Sequence, residues 1–343
     1  MSTSIQPTDA CILAIESSCD ETSAAVYCHA QSLLVQETHS QVVMHAEYGG
    51  VVPELAARSH LEKLYAVIEA ALAKAQKSLS SVDAIAYTRG PGLVGPLLIG
   101  ASYADALSFA LNKPLIPVHH LEAHITIPMH AFADLDFPFL ALLVSGGHTE
   151  LIYANDLGDY QLLGSTLDDA AGEAFDKCGK IMGIDYPAGP QLADMADAYQ
   201  GNQLPDLPEP LKGRKTMDFS FSGLKTAFSR QFSLHHDRFQ RSAFAYAVQQ
   251  VIVNALVTRL RYACQKVPDV PIVVAGGVAA NRALRVAVRA LCQSLGRHAY
   301  FPDLIYCTDN AAMVAHQAFL QWQRFGVPAA DLDQKVAPRW PLG

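Results

Sequence analysis

No two of the seven cysteines stand in a C-x-x-C arrangement, so the chain lacks the paired thiols from which a zinc ribbon is built. Their number is odd and their positions are scattered (Cys11, Cys19, Cys28, Cys178, Cys264, Cys292 and Cys307), a usage that predicts reduced thiols in a cytosol. Basic charge is also scarce: 25 Lys and Arg face 33 Asp and Glu, a formal net charge of −8. A protein that grips nucleic acid through a global field draws chiefly on Lys and Arg, so any RNA contact must be local or lent by a partner. Apolar stretches are interrupted short of the ~20 residues needed to cross a bilayer, and the N-terminus is polar. The expectation is a cytoplasmic protein with neither signal peptide nor membrane anchor.

Hydrophobic residues, by contrast, make up half of the 343, more than one core usually accommodates, which predicts two lobes with a ligand cleft between them. Three apolar runs end in small or polar residues: Ile12 to Ile15 before Glu16-Ser17-Ser18, Phe139 to Val144 before Ser145-Gly146-Gly147, and Ile272 to Ala275 before Gly276-Gly277. Each reads as a buried strand feeding a tight turn. Helical spacing recurs over 59–76, 95–111, 241–263 and 310–324, so the class is α/β. The first two strands are followed by similar continuations, Thr22 to Tyr27 and His148 to Tyr153, a hint of duplicated hairpins. The Pro- and Gly-rich stretch 200–215 reads as an exposed insertion, with Lys212, Arg214 and Lys215 as candidate phosphate contacts.

The sharpest local signal is His119-His120-Leu121-Glu122-Ala123-His124. His120 and His124 share a helix face, as two ligands of one metal ion must, while Glu122 is expected on another face. Neither H-E-x-x-H nor H-x-x-E-H is present, which disfavours a zinc peptidase. The spacing alone leaves open a plain polar helix start after Pro117. Asp309 is a third ligand candidate, or merely the cap of the following helix. Ser145-Gly146-Gly147 and Gly276-Gly277 could turn backbone N–H groups toward an anion, or could be hairpin turns without a ligand. Asn281 could hydrogen-bond a base or ribose, and Asp176 could accept ribose hydroxyls. Asp20 and Glu21, adjacent acids in a strand-connecting turn, are candidate catalytic groups or turn formers.

Together, Ile15-Glu16-Ser17-Ser18-Cys19-Asp20-Glu21-Thr22, Gly49 to Glu54, the His120/His124 pair, Val144 to Gly147 and Ala275 to Asn281 resemble the bacterial threonylcarbamoyl transferase family, once named O-sialoglycoprotein endopeptidase. The match runs from about Cys11 to about Gln323. It implies the actin/hexokinase/heat-shock-ATPase (ASKHA) fold, with duplicated mixed-sheet lobes. The N-terminal lobe would span 1–134, completed by a C-terminal helix over about 310–330, and the C-terminal lobe 135–309. It further implies that His120, His124 and Asp309 bind one divalent metal, iron or zinc. Leu143, Val144, Ser145, Gly146, Gly147, Asp176, Gly189 and Asn281 would hold the adenylate of threonylcarbamoyl-AMP. The acceptor would be N6 of adenosine 37 in tRNAs that read codons starting with A. Implied partners are tRNA, a paralogous subunit of the same fold and a small P-loop ATPase. Archaeal and eukaryotic relatives carry a Tyr ligand where Leu143 stands, so water or substrate should complete the coordination here. A metallopeptidase, a non-catalytic scaffold and an ATP-dependent kinase or hydrolase of the same fold are the competing readings.

Overall fold

The first buried run forms strand β1, Cys11–Glu16, in the computed structural model, which describes residues 7–326 and 335–342. It pairs antiparallel with β2, Glu21–Cys28, which pairs antiparallel with β3, Leu33–Ser40. On its other side β1 runs parallel to β4, Ala84–Gly90, and β4 parallel to β5, Leu115–His119. Helices α1 (Val42–Ala46), α2 (Pro53–Lys74), α3 (Val94–Leu111), α4 (His120–Thr126) and α5 (Pro128–Ala131) belong to the same part of the chain. Helix α2 starts earlier than its apolar spacing suggests because Pro53 occupies its first turn, where a missing N–H costs nothing. Its buried residues, among them Leu64, Val67, Ile68 and Ala71, recur at three- and four-residue steps and close the sheet's core.

The second sheet repeats the first. Strands β6 (Phe139–Val144), β7 (Thr149–Asp156) and β8 (Asp159–Ser165) form the antiparallel meander, and β9 (Ile272–Ala275) and β10 (Ala299–Tyr300) add on in parallel. The orders β3-β2-β1-β4-β5 and β8-β7-β6-β9-β10 have the same connectivity, so the duplicated hairpins are real. Helices α6 (Ala171–Ile181), α7 (Gly189–Asp197), α8 (Ser222–His235), α9 (Arg241–Cys264) and α10 (Arg282–Leu295) accompany this sheet. The last helix, α11 (Ala311–Phe325), returns to the first sheet, and residues 327–330 of the expected closing helix lie outside the described residues. By contacts the chain divides at Ala131/Phe132 and again at Thr308/Asp309, with α11 in the first unit.

Two expectations need correction. Cys11 and Cys28 are disulfide-bonded, while Cys19, Cys178, Cys264, Cys292 and Cys307 are free. The two residues face each other in the β1/β2 register with their Cα atoms 4.3 Å apart, a cross-strand proximity that sequence separation hides. The apolar stretches also reach further than expected: α3 and α9 are each long and apolar enough to cross a membrane. In the fold α3 packs on α2 and β4, and α9 on α7 and α10. The stretch 200–215 has no helix or strand, as expected, yet Leu207 is buried and the guanidinium of Arg259 in α9 donates to the carbonyls of Pro210, Leu211 and Arg214.

One buried group in the first unit is a liability. Among the described residues neither ring nitrogen of His316 in α11 has a hydrogen-bond partner, and the ring packs edge-on against Tyr27 and His130. Burial, then the neighbouring His130 and His29, push its imidazole down to about 3. The unfolded chain takes up a proton near the ordinary histidine value of 6.5 while the folded one does not, so stability is lost as pH falls from there toward about 3. His316→Leu is therefore expected to raise the urea midpoint at pH 7 and to flatten its decline between pH 7 and 5, measured by circular dichroism.

Candidate functional site

The turn from β5 into α4 decides where the histidines go. His119 is the cap: its Nδ1 accepts the N–H groups of Leu121 and Glu122 at 3.2 and 3.4 Å. The polar-helix-start reading thus holds for His119, and it frees His120 and His124 to point elsewhere. The neighbouring segment behaves likewise. Asn310, not Asp309, caps α11, its Oδ1 accepting from Met313 N–H at 2.9 Å, while Ser23 Oγ and Gln36 Oε1 accept from Ala311 and Ala312. With its capping role taken by Asn310, Asp309 turns to the histidines. Its Oδ1 lies 3.4 Å from His120 Nε2 and 3.1 Å from His124 Nε2. A bond from Thr126 Oγ1 to Gln317 Oε1, 2.8 Å long, ties α4 to α11 behind them.

Two imidazoles and a carboxylate whose ligand atoms all lie within 4.8 Å of one another form a donor set suited to a divalent metal. His124 Nδ1 is buried without a hydrogen-bond partner among the described residues, and His120 Nδ1 is 3.2 Å from Glu16 Oε2 and 3.3 Å from Ser18 Oγ. Glu16 is fully buried at the end of β1, accepts the Ser18 N–H at 2.6 Å and also takes the Thr88 hydroxyl. A carboxylate behind a ligand histidine fixes its ring and raises its basicity. Burial alone would pull His120 down, but Asp309 and then Glu16 outweigh it and push the imidazole up to about 10. Burial, reinforced by His120, keeps His124 below its ordinary value. For Asp309, burial works upward, and the two imidazoles, His120 first, override it and hold the carboxyl far below the usual range.

In the second unit, β6 and β9 run parallel and their C-terminal ends lead into the two glycine turns. Leu143 and Val144 are buried strand residues; only Ser145 to Gly147 leave the sheet. Ser145 N–H donates to the His148 carbonyl at 2.8 Å, and Ser145 Oγ accepts from His148 N–H at 3.0 Å, closing a tight turn. Gly276 adopts φ +89°, and a Cβ there would stand 2.5 Å from the Val144 carbonyl oxygen. The two turns are thus neighbours, and ligands of open α/β sheets bind outside the carboxyl ends of strands. The backbone at Gly146, Gly147 and Gly277 borders open space.

The polar side chains beside these turns are partly spent on structure. Asp176 Oδ1 accepts from Ala188 and Gly189 N–H at 2.8 and 3.1 Å, at the start of α7. Asn281 Oδ1 caps α10 through Leu284 N–H at 3.0 Å, and its Nδ2 donates to Gln249 Oε1 at 2.8 Å. Asn281→Asp keeps the cap and loses the donor, whereas Asn281→Ala loses both. If Asn281 reads a base, Asp should preserve stability and lose nucleotide affinity, with Ala costing a further roughly 0.5–2 kcal/mol of stability, measured by calorimetry and urea titration.

The chain aligns over 332 residues, 96% of its length and 99% of the relative's, with a tRNA N6-adenosine threonylcarbamoyltransferase of Legionella pneumophila strain Corby at 48% identity. The strain Paris counterpart is 47% identical over the same shares. The family model described as TsaD, tRNA N6-adenosine threonylcarbamoyltransferase, matches residues 32–316. The chain belongs to the tRNA N6-adenosine threonylcarbamoyltransferase family. It is accordingly an enzyme, a transferase. Among solved structures, full-length HypF in its phosphate- and nucleotide-bound form is similar at a TM-score of 0.61 and 14% identity, over 95% of this chain and 48% of that one. Component A of the (R)-2-hydroxyglutaryl-CoA dehydratase of Acidaminococcus fermentans matches at 0.54 and 13% identity, over 91% and 98%. These likenesses show the ASKHA fold.

Within this threonylcarbamoyltransferase, Asp20 and Glu21 lie in the first unit with the histidine pair and feel the charge of Asp309. Burial pushes Glu21 up to about 7, against a 2.8 Å hydrogen bond from Ser40 Oγ, and raises Asp20 as well. Glu122, expected on another face than the histidine pair, is buried, because the whole of α4 is. Sequence reasoning quoted Glu16 without giving it a role. The only signal was a carboxylate closing a buried strand, which is costly unless paired.

Proposed function

We propose that this enzyme transfers the threonylcarbamoyl group of threonylcarbamoyl-AMP to N6 of adenosine 37 in tRNAs that read codons starting with A, at a centre holding one divalent metal, iron or zinc. The observation that carries the reading is the identity of 48% over nearly the whole length of a relative named for that transfer. The convergence of His120, His124 and Asp309 supports the metal and disfavours a catalytically inert scaffold. The donor is a mixed anhydride, so the amine attacks its carbonyl carbon, AMP leaves, and no protein nucleophile is required. When bound, the metal supplies Lewis-acid polarisation of donor oxygens. In the second unit, the Ser145 to Gly147 and Gly276-Gly277 amides hold the adenylate, with Asp176 Oδ2 and Asn281 Nδ2 as the remaining polar contacts for ribose and base. Glu21, at about 7, has the proton affinity to take the proton the attacking amine loses.

The anchoring of the stretch 210–214 to α9 by Arg259 supports this stretch as the chain's own basic surface for tRNA. Next to it a groove of about 390 Å³ is lined by Lys215, Thr216, Tyr262, Gln265 and Lys266. Lys212, Arg214, Lys215 and Lys266 are exposed, and none has an ion-pair partner among the described residues. Lys215→Glu with Lys266→Glu is expected to weaken tRNA binding about tenfold and to lower the log–log salt slope by about 2, with stability unchanged, measured by fluorescence anisotropy. A same-fold partner would suit α2 and α3, where Leu61, Tyr65, Leu98 and Phe109 are exposed. A P-loop ATPase partner and a cytoplasmic setting complete the proposal. The reading is tested by supplying purified enzyme, its partners, synthetic threonylcarbamoyl-AMP and unmodified tRNA, then scoring nucleosides by mass spectrometry. Modified adenosine supports it; none, from folded enzyme with active partners, turns the reading toward a kinase or hydrolase.

A further inference from the structure

The residue that starts α4 is itself held from the far end of the chain. His119 Nδ1 accepts two backbone N–H groups, which only a bare ring nitrogen can do, so the ring proton sits on Nε2. Nε2 donates it to the Trp340 carbonyl at 3.0 Å. The Trp340 indole packs against the same imidazole with ring centroids 4.5 Å apart, and the Arg89 guanidinium lies 5.3 Å from the indole centroid. The segment carrying Trp340 runs along the end of β4. Ala337 N–H donates to the Arg89 carbonyl at 2.8 Å, Gly92 N–H to the Pro338 carbonyl at 3.2 Å, and Arg89 Nε to the Lys335 carbonyl at 2.8 Å. Gly90, at φ +155°, has no room for a Cβ because the Ala337 carbonyl fills that position.

We propose that the segment Lys335–Trp340 is a strap that positions α4 through His119, and that His119 is a positioning residue for the centre formed by His120, His124 and Asp309. The Trp340 carbonyl can only accept, so it selects the one tautomer of His119 that caps the helix. With the strap gone, the proton is free to occupy Nδ1, and the first turn of α4 then loses its cap. His120 is the first residue of that turn, so its approach to Asp309 depends on the cap. The inference rests on the metal reading for its catalytic meaning, while its structural half can be read without any metal.

The test compares the full chain, a chain ending at Gln334, and both in a His119→Ser background, where serine caps the helix without needing the strap. Amide exchange at Leu121 and Glu122 is measured in chelator-treated protein, and zinc affinity by competition with a chromogenic chelator. Truncation is expected to speed exchange at those two amides at least about tenfold while the α2 amides keep their protection, and to weaken zinc binding by about tenfold. In the His119→Ser background the same truncation should change either quantity less than about twofold. Unchanged exchange on truncation, or an equal effect in both backgrounds, overturns the strap. Wild-type protein that binds no zinc overturns the metal reading instead, and the exchange result alone then decides the strap. If the truncated chain loses protection throughout, Trp340→Ala in the full-length chain replaces it. That variant should move the same two amides, Trp340→Phe should restore them, and no movement overturns the proposal.

Discussion

Replacing His120 and His124 together with alanine is expected to reduce bound metal from one per chain to none and to cut modified adenosine by about a thousandfold, the scale of losing a major electrostatic stabiliser of the transition state. The double variant also strands Asp309 and the fully buried Glu16 without their imidazole partners, a loss of roughly 3–5 kcal/mol for a broken buried pair. Folding must therefore be verified, and Glu16→Gln provides a gentler probe. It removes the carboxylate behind His120 and keeps the shape, so metal affinity should fall about 10- to 100-fold with the ligand set intact. The pH dependence separates the two effects. Asp309 and Glu16 push His120 up to about 10, so proton and cation compete for the same ring, and metal affinity should rise with pH throughout the range below that value. Glu16→Gln takes away one of the two causes and should flatten that rise. Metal content by mass spectrometry and affinity by chelator competition across pH 6 to 9 decide it. An unchanged affinity in the double variant would remove the metal from the mechanism.

The strands that carry both sites were legible because a strand buried on both faces reads as an unbroken apolar run. The same rule picked out β1, β6 and β9. The histidine pair was legible from its four-residue step, but the step could not say whether those rings point at a metal or at solvent. Two caps leave both rings facing Asp309. His119 and Asn310 take the helix ends, each one residue away from a ligand candidate, and one residue is finer than cap preferences resolve. Glu16 escaped because its partner His120 is 104 positions away and meets it only through the parallel sheet β1-β4-β5. Asp176 and Asn281 were read for their hydrogen-bonding capacity without regard to the local backbone. Short polar side chains beside a helix start satisfy its free N–H groups first. The disulfide and the Trp340 contact depend on register and on a returning tail, neither of which leaves a periodic trace.

Gly276→Ala is expected to be a strongly damaging single-methyl change in the second unit. At φ +89° an alanine is strained, and its Cβ would stand 2.5 Å from the Val144 carbonyl oxygen and 3.3 Å from Ser145 Cβ. Backbone strain and overpacking each cost about 1–3 kcal/mol, so the loss should be roughly 2–6 kcal/mol, read as a lower urea midpoint. Nucleotide affinity should fall with it, because the methyl pushes directly on the turn that starts at Ser145. That outcome alone would not distinguish a ligand-binding turn from a merely tight one. Gly147 and Gly277 make the distinction. Neither has positive φ, and a Cβ at either meets nothing within 4 Å. Alanine at those positions should leave stability within about 1 kcal/mol of wild type, since a compatible Gly→Ala change acts mainly by restricting the unfolded chain. If the open space there is where the adenylate approaches, the added methyl will still cost affinity, measured by calorimetry with AMP or a stable donor analogue. Affinity lost with stability kept marks a backbone kept bare for a ligand. Affinity and stability both kept would return the two Gly-Gly turns to their structural role and leave the adenylate to be placed elsewhere.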